Sequence, residues 1–143
     1  MRREICEITR ESFAAYGTVL EFSGPRGWEI AVREESPGWR IALLEFGAGP
    51  ARRLECHPFS RESFEPVQGT GILLTARPEA PEEFQAFLLD KPVCLNKGVW
   101  HQVLTPAGKA SIKITENLEV ESEYWEPVSY THLRAFGSVW EKL

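Results

Sequence analysis

Short segments of alternating or continuous apolar character, separated by proline and glycine, make up most of the chain. They are rich in β-branched and aromatic residues and cover residues 19–22, 28–33, 40–46, 72–76, 84–89 and 111–115. The breaks between them leave no room for helices of ordinary length. Many short strands joined by regular turns are typical of a sandwich or a barrel. The pattern therefore predicts an all-β domain.

Two stretches, one near each end of the chain, have a helical spacing instead. Residues 8–17 place Thr9 as an N-cap, Glu11 in the first turn and Gly17 as the terminating residue. Residues 130–143 carry apolar side chains three or four positions apart, namely Leu133, Phe136, Trp140 and Leu143. We therefore expect a short N-terminal helix and a short C-terminal helix that covers one end of the barrel or a neighbouring subunit.

Length and charge narrow the possible roles. The 143 residues suit a single domain over residues 1–143, with 43% hydrophobic and 26% charged residues as in an ordinary folded chain. A net charge of -5 without a basic stripe argues against a nucleic-acid partner. A small-molecule ligand is the better expectation.

The apolar runs and the cysteines indicate the cellular compartment. No run approaches the roughly 20 apolar residues that cross a bilayer, and residues 1–11 are too charged for a secretory signal. The three cysteines, Cys6, Cys56 and Cys94, lack Cys-x-x-Cys spacing, and their odd number fits a reducing compartment. We expect a cytoplasmic protein with no membrane partner, in which the cysteines are buried fillers.

The segment over residues 49–69 places carboxylates and an imidazole between two glycines, in the order Gly49, Glu55, His57, Glu62 and Gly69. It resembles the first cupin motif, in which a Gly, a His-x-His pair, a Glu and a second Gly follow one another at these intervals. Glu55 stands at the place of the first His. A carboxylate is also a competent ligand for a divalent metal.

Strand geometry gives this spacing a physical meaning. Residues two apart on a strand project from the same face, so Glu55 and His57 face one space, which Arg53 also borders. Pro58 then ends regular strand pairing. The turn that follows would bring Glu62 back toward the same cavity.

Residues 90–105 resemble the second cupin motif in outline. Asn96, Lys97, Gly98 and His101 keep its Pro-x-Gly-x-x-His frame, with Asn96 in place of the proline. A turn at residues 96–98 would present His101 from a second strand. Together the two segments supply two imidazoles and two carboxylates, a set suited to Mn, Fe, Ni or Zn.

Over most of the chain the resemblance narrows to the ureidoglycolate lyase family. Three stretches carry it: residues 8–19, the Glu55-x-His57-Pro58 run followed by Phe64 and Pro66, and Val99-Trp100-His101. The chain departs from these lyases at Glu62, where they commonly carry Gln. The stretch between the first helix and Arg40 is also short in comparison with these lyases.

The resemblance implies a cupin-type double-stranded β-helix, that is, a jelly-roll barrel, in a homodimeric lyase of allantoin and purine breakdown. The activity would release urea and glyoxylate from ureidoglycolate with the help of a divalent transition metal. Glu55, His57, Glu62 and His101 would be the metal ligands. Glu62, if it is not a ligand, would be the catalytic base, and Arg53 and Lys97 would bind the carboxylate of the substrate.

Other interpretations remain open. The chain could act on another hydroxy acid or sugar acid, could bind a small molecule without catalysis, or could be a cupin that holds no metal. Glu62 also fits an ordinary solvated turn, and Arg53 and Lys97 fit exposed surface. His132 has no partner motif, and Trp100, next to His101, would lie on the opposite strand face, out of the cavity.

Overall fold

Two β-sheets face each other across a shared apolar core. The computed structural model describes residues 2–127, 133–136 and 139–142. The larger sheet contains, in spatial order, β11 (Glu123–Trp125), β4 (Leu54–Cys56), β9 (Trp100–Leu104), β6 (Gly71–Ala76), β7 (Gln85–Leu89), β1 (Arg2–Cys6), β13 (Val139–Lys142) and β12 (Leu133–Phe136). The smaller sheet contains β2 (Gly17–Val19), β8 (Val93–Leu95), β5 (Glu62–Gln68), β10 (Lys109–Asn117) and β3 (Trp39–Gly47).

The core between the sheets follows from the alternation of side chains along the strands. Along β10, Ala110, Ile112 and Ile114 are buried and the residues between them are only partly buried. Ile112 packs in one cluster with Leu73 and Phe87 of the opposite sheet. A second cluster, built on Ile72, Leu74 and Leu104, lies on the other face of the larger sheet. The expected all-β jelly roll with two packed sheets is confirmed.

The N-terminal helix is confirmed but is shorter than expected. Helix α1 spans Arg10–Phe13, and Thr9 caps it through a reciprocal pair of hydrogen bonds with Ser12. The chain leaves the helix after Phe13, and Gly17 begins β2 instead of ending the helix. A Cβ on Gly17 would lie 2.1 Å from the Cys94 carbonyl oxygen, so the close pairing of β2 with β8 requires a glycine there.

Four of the predicted strands are confirmed: residues 40–46, 72–76, 84–89 and 111–115 lie on β3, β6, β7 and β10, apart from Phe84, which immediately precedes β7. The strand predicted at 28–33 is wrong, and of residues 19–22 only Val19 lies in a strand. Trp28 is 89% exposed and Ile30 is 49% exposed. The alternation at 28–33 therefore has no buried face to stabilise a strand.

The C-terminal helix is wrong where the structure describes that part of the chain. Residues 133–136 and 139–142 form β12 and β13, which pair with each other, and β13 also pairs with β1. A spacing of three or four apolar residues is too short a signal to exclude two brief strands, and the edge of β1 offers backbone partners. His132 and the rest of the predicted helix lie outside the described residues.

A short 3-10 helix over Pro81–Glu83 precedes β7. Within the described ranges, no helix combines the length and the apolar character needed to span a bilayer. The described cysteines are free thiols, with Cys56 and Cys94 buried and Cys6 partly buried.

Candidate metal centre

Two rows of paired residues meet at one end of the space between the sheets. In the smaller sheet, Glu116 of β10 lies directly across from Arg40 of β3 on one side and from Glu62 of β5 on the other. In the larger sheet, His101 of β9 lies across from Glu55 of β4 and from Thr75 of β6. The strand register therefore brings charged and polar groups from both sheets to one place.

The two histidines are oriented by hydrogen bonds on their outer nitrogens. His57 Nδ1 lies 3.1 Å from the Glu121 carbonyl oxygen and 3.2 Å from Ser122 Oγ. His101 Nδ1 lies 3.0 Å from the Val99 carbonyl oxygen. Because an Nδ1–H that donates to a carbonyl leaves Nε2 with its lone pair, both Nε2 atoms are free to act as ligands.

The turn before β9 fixes the distance between the histidines. The Gly98 N–H donates to the His57 carbonyl oxygen at 2.9 Å, and Gly98 has a φ of 77°, which favours glycine. The turn expected at residues 96–98 is confirmed, with His101 presented from the next strand. The two imidazole ring centroids lie 5.1 Å apart.

Glu62 lies between the two imidazoles. Its Oε2 atom is 3.1 Å from His57 Nε2 and 2.9 Å from His101 Nε2, and all three side chains are less than 10% exposed. Burial alone would raise the pKa of Glu62, but the neighbouring His101 and His57 outweigh it and lower the pKa to about 2. Glu62 is therefore a carboxylate at neutral pH.

The same contacts act on the imidazoles. Burial opposes their protonated forms, but the Glu62 carboxylate outweighs it and raises the pKa of His57 and the pKa of His101 above their ordinary value. Without a metal, the cluster is thus a carboxylate that faces the Nε2 atoms of two imidazoles. Protons compete with a metal for those two nitrogens.

Two further carboxylates lie beside His57, Glu62 and His101. Glu55 Oε1 is 3.8 Å from His101 Nε2, and Glu116 Oε2 is 3.9 Å from His57 Nε2. The ligand atoms of Glu55, His57 and His101 lie within 4.8 Å of one another, and so do those of His57, Glu62 and Glu116. Side-chain donors about 3 to 4 Å apart suit a common ion at about 2 Å from each.

Unpaired polar atoms mark the same place. Among the described residues, four buried side-chain atoms have no well-directed hydrogen bond: Glu62 Oε2, His101 Nε2, Thr75 Oγ1 and Glu116 Oε2. All four belong to the two rows. Buried polar groups without partners are costly, so their concentration at one point indicates a ligand-binding space. Nitrogen and oxygen donors of this kind fit a divalent transition metal.

The four predicted ligands, Glu55, His57, Glu62 and His101, lie together as expected, and their role as ligands stays a prediction. Glu55 is the most open of them, with 35% of its side chain exposed. Trp100, as expected, points away from the cluster: it packs against the outer apolar cluster and donates its Nε1–H to the Pro78 carbonyl oxygen at 3.0 Å.

The two predicted carboxylate binders have partners elsewhere. Lys97 Nζ pairs with Glu34 at 2.8 Å, and Glu34 also pairs with Arg61. The Arg53 guanidinium stacks over the Tyr124 ring, with Cζ 4.1 Å from the ring centroid. Arg53 also lines a surface cavity of about 430 Å³, and none of the four predicted ligands lines that cavity.

Sequence reasoning missed Arg40 and Glu116. Arg40 donates from Nε and Nη2 to Glu116 Oε1, at 3.0 and 2.8 Å. A signal existed for Glu116: it continues the inward-facing series of Ala110, Ile112 and Ile114 at intervals of two, and a carboxylate in such a series needs a partner. Arg40 had no comparable signal, because its role depends on the pairing of β3 with β10.

Comparison with known proteins agrees with this architecture. Residues 48–139 match the model of the ureidoglycolate lyase family. The chain is 29% identical over 133 residues to a ureidoglycolate lyase from Rhizobium etli (strain CIAT 652), covering 76% of this chain and 79% of that protein. It is 27% identical over 126 residues to a ureidoglycolate lyase from Mesorhizobium japonicum (strain LMG 29417 / CECT 9101 / MAFF 303099), covering 71% and 77%.

A solved structure shows the same fold. The chain superposes on the crystal structure of a dTDP sugar isomerase from Desulfovibrio desulfuricans G20 with a TM-score of 0.54 and 13% identity, covering 80% of this chain and 82% of that one. This similarity concerns the fold. Since the family model matches well over half of its length, the chain belongs to the ureidoglycolate lyase family.

Proposed function

We propose that this protein releases urea and glyoxylate from ureidoglycolate in a metal-assisted reaction. The observation that carries the proposal is the convergence of His57 Nε2 and His101 Nε2 on the buried Glu62 carboxylate, in a chain of the ureidoglycolate lyase family. The curated relatives above bear the name of this activity. A role in the breakdown of allantoin and purines follows from the same activity.

His57 and His101, with Glu62 and Glu55, would hold the ion, and Ni, Mn, Fe and Zn all fit this donor set. When bound, a divalent ion supplies a Lewis acid that lowers the pKa of an α-hydroxyl group and orients the α-hydroxy acid. The backbone carbonyls at Glu121 and Val99 would orient both imidazoles for binding through Nε2.

The position of Glu62 favours the role of ligand over that of base. Its Oε2 atom faces both Nε2 atoms, and a carboxyl group with a pKa of about 2 accepts a proton poorly at neutral pH. Glu55, which is closer to solvent, is 3.8 Å from His101 Nε2 and completes the donor set from the other strand.

Turnover of ureidoglycolate tests the proposal. The purified protein, stripped with a chelator and reloaded separately with Ni²⁺, Mn²⁺, Fe²⁺ or Zn²⁺, should form glyoxylate and urea in equal amounts with at least one ion. Glycolate, lactate and a sugar acid serve as comparison substrates. The activity proposed here would be contradicted if urea formed with none of the four ions, or if a comparison acid were turned over instead.

We propose separately that the protein is a homodimer. β3 lies at the edge of the smaller sheet, and Trp39, Ile41 and Leu43 on one of its faces are 67%, 54% and 79% exposed. We expect a second copy of the chain to cover this strip. Light scattering at several concentrations should give a dimer for the parent protein and a monomer for Leu43→Glu. A monomer mass for the parent protein at every concentration would remove the idea.

The free cysteines agree with a reducing compartment, and a cytoplasmic location is proposed on that ground.

A further inference from the structure

We propose that Arg40 binds the carboxylate of the substrate, and that Glu116 is the positioning residue that holds the Arg40 guanidinium at the metal centre. This inference rests on the proposed function, because it assigns a residue to the recognition of a small α-hydroxy or α-keto acid. Arg40 replaces Arg53 and Lys97 as the first candidate for binding the substrate carboxylate.

Strand register places Arg40 beside the cluster. Arg40, Glu116 and Glu62 form one row across three neighbouring strands. Glu116 accepts two N–H groups of Arg40 on Oε1, while its Oε2 atom lies 3.9 Å from His57 Nε2. A single carboxyl group therefore separates the guanidinium from His57.

Arg40 keeps donors available at this position. A guanidinium has five N–H groups in a planar fork, and two of them donate to Glu116. Among the described residues, the Arg40 guanidinium has no other hydrogen-bond partner. The remaining donors suit the two oxygens of a carboxylate, which Arg binds more specifically than Lys does.

Arg40 is much more exposed than the side chains of the cluster beside it. The Arg40 side chain is 48% exposed, whereas that of Glu116 is 7% exposed and those of Glu62 and His101 are 6% and 4% exposed. The Arg40 guanidinium is therefore accessible to a small acid from solvent. The buried Glu116 fixes the guanidinium in one orientation, so less side-chain freedom is lost when the acid binds.

The other basic candidates are less suitable. Lys97 pairs with Glu34, and Arg53 stacks over the Tyr124 ring. In the part of the chain that the structure describes, neither residue forms a side-chain hydrogen bond or an ion pair with His57, Glu62, His101 or Glu116. Arg40, by contrast, is held by Glu116.

A matched pair of probes tests the proposal without turnover. Glycolate and glycolamide share the α-hydroxyl group that an ion would bind, but only glycolate carries a carboxylate. Titration calorimetry on the metal-loaded protein should show that Arg40→Gln weakens glycolate binding roughly 10- to 100-fold, the scale of a hydrogen bond to a charged group. Binding of glycolamide and the metal content should stay unchanged.

Further variants separate binding from folding. Arg40→Gln leaves Glu116 buried without its partner, so the double variant Arg40→Gln with Glu116→Gln restores a neutral pair and should show the same loss for glycolate. Arg40→Lys keeps the charge without the fork and should lose less than Arg40→Gln. Arg53→Gln and Lys97→Gln are the controls and should bind glycolate like the parent protein.

Three results would overturn the assignment: no glycolate binding by the metal-loaded parent protein, parent-like binding by both the single and the double variant, or loss of binding in a control variant instead. The assignment and the proposed activity fail separately. If the parent protein binds glycolate through Arg40 but does not cleave ureidoglycolate, the carboxylate site stands and the proposed reaction does not.

Discussion

The space between the two sheets has an apolar part and a polar part, and four strands cross from one to the other within two residues. The inward-facing pairs are Phe64 and Glu62 on β5, Leu73 and Thr75 on β6, Val103 and His101 on β9, and Ile114 and Glu116 on β10. Of the apolar members, Phe64, Leu73 and Ile114 belong to the core cluster that joins the sheets, and Val103 packs against it. The polar members contain every buried side-chain atom that lacks a partner among the described residues.

This difference shows how one fold separates stability from function. Burial of a large apolar side chain contributes about 1.5–3 kcal/mol, whereas an unsatisfied buried polar atom costs about 1–3 kcal/mol. The apolar part therefore holds the sheets together, and the polar part is a local cost that a bound ion and acid would offset. Variants in the two parts should fail in different ways.

The largest effect is expected in the polar part. His57→Ala should weaken metal binding by more than about 100-fold and remove turnover, since even loss of a residue that supports a ligand costs 10- to 100-fold. Its unfolding transition in the metal-free state should stay cooperative. Metal analysis and a turnover assay check this.

His132→Ala changes a histidine outside both motifs and is the control, with parent-like metal content. If His57→Ala binds metal and turns over substrate like the parent protein, His57 is not a metal ligand and the assignment of the metal site to the two motifs is wrong.

The matching change in the apolar part is Ile112→Ala. Ile112 is 1% exposed in the core cluster, so its truncation should lower the free energy of unfolding by about 2–5 kcal/mol. Metal stoichiometry of the folded variant should be unchanged. Denaturant titration gives the free energy of unfolding. A variant that stays as stable as the parent but loses its metal would contradict the proposed separation of stability in the apolar part from function in the polar part.

A smaller effect is expected for Glu62→Gln. The amide keeps a neutral oxygen between the imidazoles, so metal and most turnover should remain. Removing the carboxylate should also lower the pKa of His57 and of His101 in the metal-free protein, which NMR titration measures. A turnover loss of roughly 100-fold or more with metal retained would instead identify Glu62 as the base.

The smallest effect concerns pH. In the metal-free protein the raised imidazole pKa values add stability that is full below the unfolded value of 6.5 and is lost as pH rises through the folded values. The lowered pKa of Glu62 adds stability that is full above its unfolded value of 4.5 and is lost as pH falls toward about 2. Metal-free stability should therefore fall as pH rises above 6.5.

With metal bound, the change of stability with pH should have the opposite sign. Protons compete with the ion for His57 and His101, so the stability added by the metal should grow as pH rises from 6 to 8. Thermal unfolding with and without the ion over that range checks both trends. Equal slopes in the two states would show that the imidazoles do not exchange protons for metal.

The sequence was sufficient to predict those parts of the site that depend on local spacing. Glu55 and His57 lie two residues apart, and the turn before His101 needs a glycine at residue 98, so their arrangement could be predicted. Arg40 and Glu116 meet through the register of β3 with β10, which no local pattern specifies. The wrong strand at 28–33 has the same origin, since an alternating segment becomes a strand only where it finds a partner and a buried face.

The central claim is that the polar part of the barrel holds one divalent ion. Crystals of the Ni²⁺-loaded protein should show one anomalous peak per chain, about 2 Å from His57 Nε2 and from His101 Nε2 and next to the Glu62 or Glu55 carboxylate. A peak bound by other residues, or no peak at saturating Ni²⁺, would contradict the account.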